Sequence, residues 1–242
     1  MKAFIQHEQV RGAVYQLLSK CYQLPDALPL MEQRLEQLEA MMPAVDPETG
    51  PVLTGMKRFL ADQVSVDSLV QEYMVLFVGP KTLLAPPYGS LYLENKGQIK
   101  GVTTMEAARY YQAAGVTKTA GVYEPEDHIR IELEFMYYLV AQVITRCETG
   151  EFSAALPFAQ MQRSFLDRHL GNWVRPFTEN MEKKAVSPFY QGLAQITEVF
   201  VRQDAMKGSF QMLAELEVLE KENLMQSNVG DGHELVDRVL AE

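Results

Sequence analysis

The amino-acid sequence predicts an all-α protein built as a single helical-bundle domain. Three observations carry that reading. Apolar residues recur at helical spacing along nearly the whole chain, proline and glycine punctuate the stripes at intervals suited to helices, and no convincing alternating segment reads as a strand. At 242 residues and 47% hydrophobic content, the chain is long enough to bury a sizeable core, and 22% charged residues set it apart from disordered sequences.

The elements follow in order. Val10, Val14, Leu17, Leu18 and Cys21 form a first stripe, stopped by Pro25. Leu28, Met31, Leu35, Leu38 and Met42 form a second, closed by Pro43, and Asp46 to Gly55, with two prolines and two glycines, reads as a loop. Val66, Leu69, Val70, Tyr73 and Phe77 make the next helical face, ended by Gly79-Pro80. The irregular stretch Lys81 to Val102, with Pro86-Pro87 inside it, is long enough to suggest a functional loop. Thr103 and Glu106 have the spacing of a capping box and open a helix that Gly115 closes. Gly115 to Tyr123 reads either as a hinge near 115–124 or as an ordinary interhelical connection.

Glu124-Pro125 opens the cleanest helix, with Ile129, Leu133, Met136, Val140, Val143 and Cys147 on one face and Phe135 and Leu139 widening it, which marks it as central. Ser153 is placed to cap a helix running to about His169, and Ser187-Pro188 opens another that carries Phe189, Leu193, Ile196 and Phe200. From Ser209 two weaker helical patterns are separated by Asn228 to Gly232, so residues 1–208 are expected to form the domain and 209–242 a helical tail.

Charge and motifs narrow the function. Twenty-two Lys and Arg against 32 Asp and Glu give a net charge of −10, which repels phosphate backbones, argues against nucleic acid and suits a basic partner such as a peptide carrying Lys or Arg. Cys21 and Cys147 stand apart in apolar helical patterns and read as core residues. Met1 to Glu8 lacks the apolar run of a signal peptide, and no stretch approaches the length of a membrane span, so the expected setting is cytoplasmic, without integral membrane association. His128 and Glu132 share a helix face, but no residue three before any histidine completes a Glu-x-x-His pair, and HExxH, zinc-type spacing, a phosphate-cradling glycine loop and GxSxG do not occur. The expectation is a binding protein with no cofactor and no catalytic or metal residues.

Three segments stand out. Glu72 to Glu94 gathers Tyr73, Phe77, Tyr88 and Tyr92 around prolines, where rings with polar tips suit a surface that is apolar and wet at its edge, although for any one of Tyr73, Leu76 and Phe77 spacing alone favours a place in the core. Tyr123 to His128 puts three acids at a helix start, which the helix dipole explains for Glu126 and Asp127 but not for His128, since a cation is poorly placed there. Phe165 to Phe177 holds the single tryptophan, Trp173, and reads as a helix–helix junction with Trp173 and Phe177 in the core.

Together these segments resemble, in the same order, the TorD/DmsD family of redox-enzyme maturation chaperones. The resemblance rests on Tyr73-x-x-Leu76-Phe77 with Gly79-Pro80, on Pro86-Pro87-Tyr88-x-Ser90-x-Tyr92, on Pro125-x-Asp127-His128-Ile129-x-x-Glu132, and on Phe165-Leu166-x-x-His169-Leu170-x-x-Trp173, and it spans roughly residues 5 to 205. It implies an all-helical cytoplasmic chaperone that binds the twin-arginine signal peptide and the apo form of a molybdoenzyme of the TMAO or DMSO reductase type until molybdopterin is inserted. The peptide-binding residues it implies are Tyr73, Leu76, Phe77, Pro87, Tyr88, Pro125, Asp127 and His128. Weak GTP binding is associated with some members, and no phosphate motif here supports it. An apolar groove would take the apolar run of such a peptide, and Glu72, Glu124, Glu126 and Asp127 are candidates to hold its arginines. Two alternatives stay open: a chaperone for a non-exported nitrate-reductase-type subunit, and a metal- or nucleotide-dependent helical enzyme. Monomer and homodimer are both open.

Overall fold

The computed structural model describes residues 1–62, 64–79, 83–94, 97–119, 121 and 123–239, with side chains described through residue 225. Pro80 and parts of the 81–102 and 115–123 stretches lie outside the described residues. The chain is all-helical: α1 (Lys2–Cys21), α2 (Leu28–Val45), α3 (Thr49–Ala61), α4 (Val66–Tyr73), a π-helical segment Met74–Val78, the short α5 (Ser90–Leu93), α6 (Val102–Ala113), α7 (Ile129–Glu148), α8 (Phe152–Arg168), α9 (Leu170–Lys184), α10 (Pro188–Gln203), a second π-helical segment Asp204–Gly208, and α11 (Ser209–Val239).

The stripe read for α7 is the centre of the structure: Ile129, Leu133, Met136, Val140, Val143 and Cys147 are all fully buried. Helix α1 lies along α7, close enough that a Cβ at Gly12 would sit 3.0 Å from Val140 Cγ1. On α7 also packs α8, which in turn carries α11, while α9, α10, α3 and α2 follow one another around the other side. One large core joins the two groups, and a smaller one, holding Phe4, Val143, Cys147, Phe152, Met212 and Leu216, seats the first turns of α11.

Several boundaries differ from the sequence reading, each for a local reason. The expected loop at Asp46 to Gly55 holds the start of α3. Gly50 and Pro51 fall in its first turn, where a missing N–H costs nothing, and Leu53, Met56 and Leu60 then bury one face. Pro43 lies inside the last turn of α2 rather than ending it. The Thr103–Glu106 capping box does not form; the carboxylate of Glu94 accepts the Thr103 N–H at 2.7 Å instead, so α6 is capped from α5. Ser153 lies inside α8 and its hydroxyl donates to Glu220 at 2.7 Å, tying α8 to α11. The tail is one continuous helix through Asn228–Gly232, not two. Ser187 does cap α10, accepting the Tyr190 N–H at 3.3 Å, with Pro188 at the first position. Trp173 and Phe177 are fully buried, as the junction reading expects.

Candidate functional site

The loop before α5 and the loop before α7, far apart in sequence, meet edge to edge. Tyr88 and His128 form an isolated antiparallel β-bridge. Its bonds run from Gly89 N–H to the Asp127 carbonyl at 2.8 Å and from Ile129 N–H to the Pro87 carbonyl at 2.9 Å. The Tyr88 ring meets the His128 imidazole edge-on, with centroids 5.3 Å apart. A turn away, Ala85 N–H donates to the Leu76 carbonyl at 2.9 Å, so the π-helical segment is fastened to the same loop.

Asp127 locks this junction. It has no exposed surface, and its two oxygens accept the Ser90 N–H at 2.7 Å and the Thr104 hydroxyl at 2.9 Å, joining three elements. From α6, Tyr111 donates its hydroxyl to the Glu126 carbonyl at 2.6 Å. His128, not Pro125, begins α7: its Nδ1 accepts the Arg130 N–H at 3.1 Å, which makes it the N-cap. This is what the dipole argument missed. A protonated imidazole is unwelcome at a helix N-terminus, but a neutral one offers a lone pair to a free N–H. Burial, set against the attraction of Glu124, pushes the imidazole pKa down to about 4, so the neutral form is the one held.

The fourth motif lies beneath. Trp173 donates its indole N–H to Glu132 at 2.9 Å and stacks on Tyr92 at 5.7 Å. A Cβ at Gly89 would lie 2.9 Å from the indole nitrogen, so only glycine lets the bridge settle this close to the ring.

The eight residues expected to bind a peptide are thus gathered, but they divide. Leu76, Phe77, Pro87, Pro125, Asp127 and His128 are buried, with Phe77 packed among Tyr22, Tyr73, Phe177 and Tyr190. Tyr73 and Tyr88 are half-buried. Burial raises both phenols, and the negative charge of Glu124 adds to each. The candidate acids already have partners in the chain: Glu72 accepts the Val186 and Ser187 N–H groups, Glu124 pairs with Arg130 at 3.0 Å, and Glu126 with Lys118 at 2.7 Å.

What the sequence reading passed over is the apolar surface beside them. Met74, Val75 and Val78 are 44%, 49% and 49% exposed, on the solvent side of the π-helical segment. The signal was present, since Tyr73 to Val78 is apolar without interruption, more than one buried helix face requires. Beside Pro125 lies a cleft of about 340 Å³ with a mixed lining, Met105 and Tyr123 facing it along with Lys100, Thr104, Lys118 and Glu126. Among the described residues no three His, Cys, Asp or Glu side chains group as metal ligands, and no helix is long and apolar enough to cross a membrane.

Fold and loops together make an all-helical chain in which a braced pair of loops is edged by apolar side chains. Residues 42–179, more than half the chain, match the family model described as nitrate reductase delta subunit. The chaperone protein TorD of Vibrio cholerae serotype O1 is 29% identical over 136 residues, 56% of this chain and 60% of that one. The Tat proofreading chaperone DmsD of Salmonella paratyphi A is 26% identical over 207 residues, 84% of this chain and 92% of that one. A solved structure from Archaeoglobus fulgidus, assigned as a redox enzyme maturation protein, has a TM-score of 0.49 at 22% identity, covering 77% of this chain and 91% of that one. The chain belongs to the family of this model, with the TorD and DmsD redox-enzyme maturation chaperones, and these relatives are chaperones rather than enzymes.

Proposed function

We propose that this chain is a cytoplasmic chaperone that binds the twin-arginine signal peptide and the apo form of a molybdoenzyme of the TMAO or DMSO reductase type, and holds it for molybdopterin insertion before export. The observation that carries this reading is the exposed apolar strip Met74, Val75 and Val78 beside the half-exposed rings of Tyr73 and Tyr88. Such a strip suits the apolar run of a signal peptide, and tyrosines give it an edge that is apolar on its face and polar at its tip. The buried members of the motif, Leu76, Phe77, Pro87, Pro125, Asp127 and His128, serve the site from beneath by fixing the two loops. The net charge of −10 favours encounter with a basic peptide. The division at residue 208 belongs to this proposal, with α11 as an appended helix whose first turns dock on α8.

A second reading has its own support in the description of the family model: the client is a nitrate-reductase-type subunit that is not exported. Affinity capture with the full chain from cells grown anaerobically separates the two. Recovery of a reductase that depends on its twin-arginine leader supports the first reading. Recovery of a leaderless nitrate-reductase-type subunit overturns it in favour of the second, and recovery of neither overturns both.

A further inference from the structure

Beneath the bridge lies a pair of titratable groups that peptide binding does not use. Glu132 projects from the first turn of α7 and His169 stands at the break between α8 and α9, and both are buried, at 0% and 1% exposure. Glu132 spends one oxygen, Oε2, on the indole N–H of Trp173. The other, Oε1, faces His169 Nδ1 at 4.0 Å, and neither of these two atoms has a hydrogen-bond partner among the described residues. His169 is walled in by Phe165, stacked at 5.0 Å, and by the edge of Tyr110 at 5.3 Å.

The surrounding charges decide the protonation. Asp127, from the loop before α7, acts on Glu132, and the hydroxyl of Tyr111 on α6 lies in the same field. Glu106 on α6, Asp127 and Arg168 on α8 act on His169. Among the described residues the one basic group within 4.0 Å of Glu132 is His169 itself. An ionised carboxylate here would be a desolvated charge opposed by the carboxylate of Asp127, and a protonated imidazole would be desolvated as well. A carboxylic acid and a neutral imidazole avoid both costs, and their free atoms are complementary, one an O–H donor and the other a lone pair.

We propose that Glu132 and His169 form an uncharged positioning pair, in which the Glu132 Oε1 hydroxyl donates to His169 Nδ1 while Oε2 holds the Trp173 indole beneath the Gly89 turn. A small rotation of either side chain closes the 4.0 Å gap to hydrogen-bond length. Burial pushes Glu132 well above the usual carboxylate range and His169 below the usual imidazole range, in agreement. The consequence is positional. The indole is the floor on which Gly89 rests and against which Tyr92 stacks, so the pair sets the height of the Tyr88–His128 bridge.

The chain has one tryptophan, so its indole N–H gives a single proton–nitrogen resonance that reports directly on the Glu132 oxygen. In the unaltered full chain this resonance is expected to hold its position from about pH 8 down to about pH 5, where ordinary histidines and the upper flank of ordinary carboxylates titrate. Glu132→Gln, whose amide supplies the same acceptor and donor, is expected to leave the resonance close to that of the parent. Glu132→Leu is expected to move it upfield as the acceptor is lost. A titration of the parent resonance with a midpoint between about 5 and 7 would overturn the proposal, because it would show one member of the pair carrying charge. Equal displacement by Gln and Leu would also overturn it. The parent titration requires no variant to fold, and neither measurement requires a client.

Discussion

Asp127→Ala tests the bracing of the site most sharply. In the structure this side chain is fully buried and its two oxygens satisfy two donors on different elements, Ser90 N–H at 2.7 Å and the Thr104 hydroxyl at 2.9 Å. Removing it orphans both. A buried donor left without its acceptor costs about 1–3 kcal/mol, so two give about 2–6 kcal/mol, and release of a desolvated carboxylate returns part of that. A net loss of about 3 kcal/mol is the working figure, which lowers the melting temperature by roughly 6–12 °C for a chain of this size. Asp127→Asn keeps one acceptor and is expected to lose about half as much. Thermal melts followed by circular dichroism at neutral pH, run beside titrations with a twin-arginine peptide, supply the readout. The expected pattern is a lower melt for Asp127→Ala, with weakened peptide binding following from the loosened loops. A melt within about 2 °C of the parent would refute the reasoning, because it would mean that the buried carboxylate ties nothing together.

Three further outcomes follow from the same geometry. His128 is held neutral as a cap with its pKa pushed down to about 4, below the ordinary value of 6.5, so its contribution is complete above about pH 6.5 and is lost as pH falls through about 4. At roughly 1.4 kcal/mol per unit this amounts to at most about 3.5 kcal/mol, and His128→Asn, which keeps a capping acceptor, is expected to flatten the decline in melting temperature between about pH 6.5 and 4. Trp173→Ala removes the fully buried floor of the site and is expected to cost about 3–5 kcal/mol, read by denaturant midpoint. Association of a basic peptide is expected to slow with rising salt while its dissociation changes little, by stopped-flow fluorescence, because the net charge of −10 acts at long range whereas Glu124 and Glu126 are already paired within the chain.

Much of the fold was legible because long helices repeat one pattern many times. The α7 stripe from Ile129 to Cys147 names six residues, all of which are fully buried. Boundaries were harder, because the groups that set them come from elsewhere in the sequence. Glu94 caps α6 at Thr103 across a loop, and no local rule nominates it. Gly50-Pro51 signals a break in isolation, yet both residues are at home in a first helical turn. The site was legible as a set of residues but not as a division of labour. Tyr88 and His128 were singled out in separate loops, and only the tertiary structure makes them a bridged pair. His128 looked unexplained as a cation and is explained as a neutral acceptor. Spacing also placed Tyr73 and Phe77 on one face as for an α-helix, while the π-helical turn that follows Tyr73 sets Met74, Val75 and Val78 toward solvent.

The claim on which the account turns is that a client docks on that exposed strip while the buried motif holds it in place. A combined Met74→Ser, Val75→Ser and Val78→Ser variant, titrated with a labelled twin-arginine signal peptide in parallel with a thermal melt, addresses it directly. Three side chains half exposed in the free protein have little to lose on folding, so the melt is expected to stay close to the parent. Covering their apolar area on binding is worth about 2 kcal/mol in all, so the affinity is expected to fall about thirtyfold. A triple variant that binds the peptide as tightly as the parent would contradict the account and place the client elsewhere on the molecule.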